Sequence, residues 1–564
     1  MEQRSNLLQN VYMKALFPGM VAILGGTVNV FVDGILVGQR MGEMGLAAVN
    51  QSLAVYLLLC TVGSLFAAGA SVEVAHAMGK REVEKGKELF SMALETSVLI
   101  GVLVCALGLL FLPGLSALLG SPATVELIQI YLRITLAGGI FKVLLYIPYY
   151  FLRLEGMMGE VAVTMVVMTV TNIVLDYLFL FPFHLGIAGA ALASALATAV
   201  ACVMSFWFLF VKGSMFRFRP VRLRKKDIHR MMVSGSPIAS NNLFSAIRVV
   251  VLNSIMNLVG GSSMVAVFAI TNNLNEFSIC IQNGVPQTGS ALLGVYHGES
   301  DPRAVKRLLW LQLKMGLIIS VLFSGVMILF SGKIGALFGT TEDVRFAVIC
   351  WAVSVIAATG NEIMSYYYFA IRNSTMANLI TVLRVFAVIS AVAWCMKGLG
   401  DYIWLFYPVS EILSAVLWMG YGWMLGTRQG KRGLYLLKED VGNSIDFVVR
   451  CDPEEICGIS AGVNQFCEEN GLDEEQTMTL SLAMEELMMI TAEKTLKNEG
   501  SMDVRILKSG VGTLLRIRAQ GEPYNPLEHE KDNLDFIGVQ MIVGMAKRTE
   551  YQSTLGLNTL IVEI

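Results

Sequence analysis

A series of long apolar segments restricts how this chain can fold more than any other feature. A helix needs roughly 20 apolar residues to cross a bilayer, and the sequence supplies twelve such segments. Only 15% of its 564 residues are charged, against about 25% in soluble domains, so most of the chain is predicted to be a multi-pass membrane protein. The segments form two groups of six, with predicted bounds 12–38, 46–72, 90–113, 125–150, 160–182, 186–211 and then 231–258, 264–294, 306–330, 342–369, 375–397, 402–425.

The two groups share landmarks at a constant offset of 219 residues (237−18, 261−42, 298−79). The pairs are Pro18/Pro237, Gly42/Gly261 and Gly79/Gly298. We expect the prolines to open the first helix of each group. We expect the first pair of glycines to follow that helix and the second pair to end the second helix. Because each group has an even number of spans, both cross the membrane in the same sense, as in transporters built from parallel repeats.

The basic residues predict the orientation in the membrane. Lys and Arg are concentrated in residues 211–230 and in the loops after the second and eighth spans, whereas the loops SPATVE and FPFHLG have none. Basic loops stay on the cytoplasmic side, so both termini are expected there, in a bacterial-type plasma (inner) membrane. The N-terminal stretch MEQRSNLLQN runs directly into an apolar segment without a cleavage pattern, which argues against a cleaved signal peptide.

Three stretches carry a family resemblance: VFVDGILVGQRMGEMGLAAVN, ASVEVAHAMGKREVEKGKELF and TNIVLDYLFLFPFHLGIAGAALASA. They resemble the multidrug and toxic compound extrusion (MATE) family over about residues 10–425. The resemblance implies an α-helical membrane protein with twelve spans, in which lobes 1–220 and 221–427 face a central cavity. It also implies export of small amphipathic, often cationic, solutes in exchange for inward H+ or Na+, with no enzyme activity.

Polar residues in the fifth span indicate where an ion could bind. Asn172 and Asp176 are four residues apart and therefore share a helix face. A mid-membrane carboxylate costs roughly 2.5–3.5 kcal/mol, so it is expected to be paired, hydrated or used. In related transporters, the positions matching Asp33, Asn172, Asp176 and Ser194 form the cation site of the first lobe, although threonine is more usual at the last. Oxygen ligands suit H+ or Na+; bracing of helices by hydrogen bonds is the alternative.

The second lobe is predicted to lack such a site. Some relatives place an essential acid in the seventh span, which here carries Arg248 instead. We expect Arg248 to form a buried pair with Glu276 of the eighth span. The aromatic run Tyr366–Tyr368 is a candidate lining for a promiscuous cavity. The nine cysteines have no metal-ligand spacing, so no metal other than Na+ at the cation site is expected.

A basic linker, 428–442, leads to about 120 residues of soluble composition, 443–564. The pattern predicts a strand, two helices, a hairpin, a short helix near 537–548 and a final hairpin. This order is typical of a cytoplasmic α+β sandwich with helices on a sheet.

The tail has a resemblance of its own, in LAMEELMMI, RAQGEPYNPLEH and IGVQMIVGMAKRTEYQSTLGLNTLIVEI. These resemble the histidine-kinase-type (GHKL) ATPase fold, most closely the anti-sigma-factor kinases. That family's Mg2+-binding Asn is replaced by Ile490, its adenine-reading Asp by Ala519 and its second lid glycine by Gln540, whereas Glu486, Gly521 and Gly538 are kept. We therefore expect little or no binding of ATP or Mg2+, and no ATPase or kinase activity.

Together these features predict a secondary-active efflux transporter with a cytoplasmic regulatory module. No G-x-x-x-x-G-K-[ST] phosphate-binding run is present, so no P-loop ATP motor is expected to drive transport. No cofactor is expected either. The expected partners are amphipathic or cationic solutes, membrane lipid and a regulatory protein at the tail, and nothing points to nucleic acid. Two alternatives are a membrane-anchored signalling protein whose transporter part senses a ligand, and a lipid or oligosaccharide flippase.

Overall fold

The computed structural model describes residues 6–120, 124–211, 214–337, 343–428, 433–437, 443–497, 499–508, 512–530, 537–554 and 556–564. It divides into two compact units. One contains Ala15–Leu154 and Met158–Leu437; the other contains Lys438–Ile564 together with Met1–Lys14 and Glu155–Met157. Most of the predicted linker 428–442 lies outside the described residues.

Long helices make up the described part of the chain up to residue 428. Eleven segments are long and apolar enough to cross a membrane, and α4 with α5, bent by 47° at their junction, gives a twelfth if the pair is one span. The prediction of twelve spans is thus met by length and composition to within one span. The helices are α1 (Asn6–Gly79), α2 (Val83–Leu110), α3 (Leu112–Leu119), α4 (Val125–Ala137), α5 (Gly139–Leu154), α6 (Met158–Leu180), α7 (Gly186–Val211), α8 (Lys225–Gly298), α9 (Pro302–Leu337), α10 (Arg345–Ala370), α11 (Ser374–Val382), α12 (Val388–Met396) and α13 (Phe406–Arg428), with a π-helical turn at Leu383–Ala387 and a 3-10 turn at Gly400–Leu405.

The duplication is visible in the backbone of α1 and α8, each of which contains two spans. The break between them falls at Gly42 in α1, with φ 63°, and at Gly261 in α8, with φ 62°. Only glycine adopts this left-handed conformation without a steric penalty, which explains why glycine stands at both positions.

The prediction for the two prolines was wrong. Pro18 and Pro237 lie inside helices that begin at Asn6 and Lys225, so neither opens its helix. Proline removes one backbone hydrogen bond from a helix. In membrane helices that loss is tolerated because neighbouring groups and local adjustments satisfy the freed carbonyl.

Glycines join the two repeats at close helix crossings. A Cβ added to Gly79, at the end of α1, would lie 2.8 Å from Cα of Gly298, at the end of α8. A Cβ on Gly69 would lie 2.9 Å from the backbone nitrogen of Gly235. Only small residues allow helix backbones to approach this closely, so larger side chains at these positions would separate the repeats.

The tail contains a five-stranded antiparallel sheet in the order β1-β2-β3-β5-β4. The predicted strands and helices occur in the predicted order, except that the first predicted helix is divided into α14 and α15 and that α17 was not predicted. They are β1 (Asn443–Arg450), α14 (Pro453–Gly458), α15 (Ser460–Glu469), α16 (Glu474–Ile490), a π-helical turn (Thr491–Thr495), β2 (Ser501–Lys508), β3 (Thr513–Gln520), α17 (Pro526–His529), α18 (Ile537–Met545), β4 (Arg548–Thr554) and β5 (Leu557–Glu563).

The period-two pattern of the strands explains how the tail forms its core. Val504 of β2 pairs with Ile517 of β3, which pairs with Leu560 of β5, and all three side chains are buried in one hydrophobic cluster. Side chains directly across a sheet point to the same face. The same cluster includes Leu487 and Met484 of α16, so one face of the sheet is covered by this helix.

Candidate functional site

Two neighbouring helices hold the polar residues predicted in the fifth and sixth spans. Asn172 and Asp176 lie on one face of α6, and both are 0% exposed. The Asn172 side-chain amide donates a hydrogen bond to Ser194 Oγ of α7 at 3.2 Å. Gly189 allows α7 to come this close, because a Cβ there would lie 2.9 Å from Cβ of Phe179 on α6.

Asp33 of α1 completes the predicted group, because its carboxyl lies close enough to the Asp176 carboxyl for the two to interact electrostatically. Among the described residues, no donor reaches Asp33 Oδ1 or either carboxylate oxygen of Asp176. The side-chain oxygens of Asn172 and Asn29 are likewise buried without a donor. These oxygens all accept hydrogen bonds, and ionised carboxylates cannot donate to one another. A proton or a small cation would therefore satisfy the group.

Two of the four predicted cation-site residues line a cavity of about 140 Å3, whereas Asn172 and Asp176 do not belong to its lining. Asp33 and Ser194 line it, together with Asn29, Tyr56 and Lys142. A larger cavity of about 270 Å3 lies between the two repeats, and Asn29, Tyr56 and Lys142 also line that one. The two cavities thus share part of a wall.

Both repeats contribute to the central cavity. Its lining combines tyrosine hydroxyls, side-chain amides and flexible methionines, a set that suits solutes with an aromatic or apolar body. The residues are Ala22, Ile23, Gly26, Asn29, Tyr56, Ser64, Lys142, Leu145, Tyr146, Tyr149, Tyr150, Met165, Met168, Ile238, Asn241, Asn242, Asn283, Gln287 and Tyr366.

The run of three tyrosines in α10 is only partly as predicted. Tyr366 lines the central cavity. Tyr367 and Tyr368 instead donate hydrogen bonds to the carbonyls of Tyr435, at 2.7 Å, and Leu434, at 2.5 Å. These two side chains therefore fix the segment that follows α13.

A buried charge network in the second lobe differs from the predicted pair. Arg384 lies 2.5 Å from a carboxylate oxygen of Glu362 and 3.1 Å from one of Glu411. The predicted pair of Arg248 with Glu276 does not occur among the ion pairs of the described residues. Arg248 lines the same small cavity as Arg384 and Glu411. Several charges therefore lie in this region, but Arg384, in the π-helical turn, makes the direct contacts with the two glutamates.

Sequence reasoning did not select Lys142, although it lines both cavities. A signal was available in the spacing of Lys142, Tyr146 and Tyr149. Positions i, i+4 and i+7 lie on one face of a helix, and all three side chains line the central cavity.

In the tail, two of the three predicted substitutions in the nucleotide boxes occupy core positions, whereas Gln540 of α18 is exposed. Ile490 and Ala519 are fully buried in the hydrophobic cluster. Glu486 lies one turn before Ile490 on α16 and is partly buried. Gly521 follows β3, and a Cβ there would lie 2.1 Å from the Thr495 carbonyl. Gly538 is helical, in α18, and its surroundings lie outside the described residues.

Among the described residues, no group of three or more His, Cys, Asp and Glu side chains is placed to hold a metal ion. The acceptor group around Asp33 and Asp176 combines two carboxylates with amide and hydroxyl oxygens instead. Such a set fits a proton or Na+ rather than a metal that prefers nitrogen or sulfur ligands.

Comparison with known proteins identifies similar chains. The sequence model of the MatE family matches residues 18–178 and 237–394. The multidrug export protein MepA of Staphylococcus aureus (strain NCTC 8325 / PS 47) is 23% identical over 418 residues, which cover 72% of this chain and 91% of MepA.

Solved structures share the fold of the helical part. A structure described as the outward-facing conformation of a multidrug resistance MATE family transporter of the MOP superfamily has a TM-score of 0.71 and 22% identity, covering 75% of this chain and 96% of that one. A crystal structure of MATE in the straight conformation has a TM-score of 0.70 and 22% identity, covering 75% and 97%.

Proposed function

Because the chain belongs to the MatE family, we propose that it is a secondary-active transporter that exports small amphipathic organic solutes in exchange for inward H+ or Na+. Its place is a bacterial-type plasma membrane, with both termini on the cytoplasmic side. Multidrug export by the similar MepA protein supports this activity. The central cavity of about 270 Å3 between the repeats supports a small organic cargo.

The buried acceptor group supports ion coupling more directly than any other observation. Asp176 is 0% exposed, and neither of its carboxylate oxygens has a hydrogen-bond donor among the described residues. Two carboxylates this close cannot both stay ionised cheaply. Asp33, Asn172, Asp176 and Ser194 would hold the ion through their side-chain oxygens, and binding would neutralise the pair.

The position of Asp33 on α1 links ion binding to cargo binding. The same helix contributes Ala22, Gly26 and Asn29 to the central cavity. Neutralising the carboxylate pair removes the repulsion between α1 and α6, so α1 can repack against its neighbours. A repacked α1 changes the shape of the cargo cavity, which makes cargo affinity depend on ion occupancy.

The test is a flux assay in proteoliposomes with an imposed pH gradient, an imposed Na+ gradient, or neither. We expect one of the two gradients to drive dye movement, and collapse of that gradient to stop it. No dye movement under either gradient would contradict the proposal. Movement of a labelled lipid under those conditions would instead favour a flippase.

We further propose that the tail regulates transport and does not power it. Its resemblance to the GHKL fold lacks the Mg2+ ligand and the adenine acceptor, whose positions are taken by Ile490 and Ala519 in the hydrophobic core. A folded module without these groups is suited to binding a regulatory protein. A variant that ends near residue 426 is expected to transport in the flux assay, and loss of all flux on truncation would contradict this assignment.

A further inference from the structure

The described lining of the central cavity contains a lysine but no acidic residue. Lys142 is the one charged side chain in the described lining of the central cavity, and no Asp or Glu belongs to that lining. Its Nζ lies 4.6 Å from the centroid of the Tyr56 ring. An ammonium group retained in a low-dielectric cavity attracts negative charge more strongly than it would in water.

A second cation lies on the same face of α5. The spacing i, i+4, i+7 and i+11 places residues on one side of a helix. In α5 these positions are Lys142, Tyr146, Tyr149 and Arg153. The Arg153 guanidinium lies over the Tyr149 ring, 4.1 Å from its centroid. Arg153 is 3% exposed, and none of its three guanidinium nitrogens has a hydrogen-bond partner among the described residues.

This arrangement makes one wall of the cavity electropositive. Lys142 reaches the cavity directly, and Arg153 lies behind Tyr149, where its charge is uncompensated by a hydrogen-bonded acid. The tyrosines between them place hydroxyl donors along the same wall. Charge-assisted hydrogen bonds from such donors are about twice as strong as neutral ones.

Two acids in neighbouring parts of the helical unit do not line the central cavity. Asp33 lines the smaller cavity, which Lys142 also lines, and interacts electrostatically with Asp176. Glu362 pairs with Arg384 in the second lobe. A cationic solute in the central cavity would therefore meet Lys142 without a carboxylate on the described walls to compensate.

We propose that the preferred cargo is an amphipathic anion, with a carboxylate or sulfonate held by Lys142 and an aromatic body packed among the tyrosines and methionines. The proposal rests on the proposed export function and specifies the charge of its cargo. The anionic group neutralises Lys142, and the neighbouring tyrosine hydroxyls donate to it. Met165 and Met168, which also line the cavity, adapt to aromatic bodies of different shape.

Two dyes with the same xanthene core separate charge from shape. Fluorescein is anionic and rhodamine 123 is cationic, and binding of each to the purified full chain can be followed by fluorescence anisotropy without any ion gradient. We expect fluorescein to bind at least about tenfold more tightly than rhodamine 123. Lys142→Gln should weaken fluorescein binding by about tenfold or more, the low end of what a hydrogen bond to a charged group contributes.

Two further variants serve as controls. Lys142→Arg keeps the positive charge and should keep the preference for fluorescein. Lys397→Gln makes the same chemical change at an exposed lysine that contacts Trp394 at the end of α12, and it should leave both affinities unchanged. Thermal unfolding of each variant in detergent confirms that it is folded.

The results distinguish this proposal from the transport proposal. Tighter binding of rhodamine 123, or an unchanged ratio of affinities in Lys142→Gln, would overturn the anionic cargo even if ion-driven flux is present. A Lys142→Gln variant that loses ion coupling but keeps the wild-type dye preference would mean that Lys142 serves the carboxylates of the smaller cavity. Dye preference as expected without gradient-driven flux would reject antiport and leave the cargo assignment intact.

Discussion

Glu73 of α1 and Arg372, just after α10, form an ion pair between the two repeats, with Arg372 Nη2 2.8 Å from Glu73 Oε2. Arg372 Nε also donates to Glu73 Oε1 at 2.9 Å, and Ser234 Oγ of α8 donates to the same oxygen at 2.7 Å. Ser234 is adjacent to Gly235, whose backbone touches α1 at Gly69. The polar contact and the close helix crossing therefore hold the repeats together in one region.

This contact predicts how the repeats respond to its removal. Arg372→Gln leaves the largely buried Glu73 carboxylate without its cation, which should cost about 1–3 kcal/mol in the described conformation. The repeats should then separate more often here, so a cysteine introduced at Ser234 should react faster with a thiol reagent after the native cysteines are removed.

A double-mutant cycle checks that the effect belongs to the pair. Glu73→Gln with Arg372→Gln should be less destabilised than the sum of the single variants, because no charge is then left unpaired. Additive losses in thermal unfolding would show that the two residues act independently.

If Asp33 and Asp176 bind the coupling ion, replacing either one should abolish the coupling of transport to the ion gradient and leave the protein folded. Asp33→Asn and Asp176→Asn each keep side-chain size but remove an ionisable group, so each should abolish gradient-driven efflux. Relief of repulsion between the carboxylates should leave the melting temperature equal or higher. Asp401→Asn, at an exposed aspartate of the 3-10 turn before α13, is the matched control and should transport normally; normal coupling in both site variants would reject the assignment.

In the network of Arg384, Glu362 and Glu411, we expect the loss of the arginine to destabilise the protein more than the loss of one glutamate. Arg384→Met would leave Glu362 and Glu411, both buried, without their common cation, and removing one partner of a buried pair costs about 3–5 kcal/mol. Glu411→Gln should cost less, because Arg384 keeps Glu362 at 2.5 Å. The comparison is made by thermal unfolding in detergent, and equal losses in the two variants would contradict a network centred on Arg384.

Local patterns in the sequence predicted the features that depend on neighbouring residues. Asn172 and Asp176 share a face because they are four residues apart in one helix, and constant spacing identified Gly42 and Gly261 as equivalent breaks. Such relationships are set by backbone geometry alone. The strands of the tail were predictable for the same reason, since alternation along β2 places Met502, Val504 and Ile506 on one face.

The contacts that the sequence did not predict depend on packing between residues that lie far apart along the chain. Arg248, Glu276 and Arg384 each occur as an isolated charge in an apolar segment, and their order along the chain does not tell which side chains meet. Lys142 lines a cavity only because helices of both repeats enclose that space. Helix starts at Asn6 and Lys225 were missed because proline is a good first-turn residue, yet these membrane helices accommodate it internally.

The tail predicts a negative result with nucleotide. A ligand at 100 times its dissociation constant stabilises a protein by about 2.7 kcal/mol, which thermal unfolding of the full chain would detect. With Ile490 and Ala519 at the positions of the Mg2+ ligand and the adenine acceptor, we expect neither a shift of the tail's unfolding with millimolar Mg-ATP nor ATP hydrolysis. A clear shift would show that the retained residues, Glu486 and Gly521, still form a nucleotide site.

Gly521 has a structural reason to be retained that does not involve nucleotide. A Cβ at this position would lie 2.1 Å from the Thr495 carbonyl oxygen, a backbone atom that cannot move without displacing the π-helical turn. Gly521→Ala should therefore destabilise the tail by about 1–3 kcal/mol, the usual cost of overpacking. The measurement is hydrogen exchange of β2 and β3 in the full chain, where faster exchange is expected.

Gly544 provides the matched control for that substitution. It lies in α18, and a Cβ added there meets no atom within 4 Å. Gly544→Ala should leave exchange in β2 and β3 unchanged or slow it, because alanine favours the helix by about 1 kcal/mol relative to glycine. If Gly521→Ala behaved like Gly544→Ala, the close approach to Thr495 would not be what requires glycine at position 521.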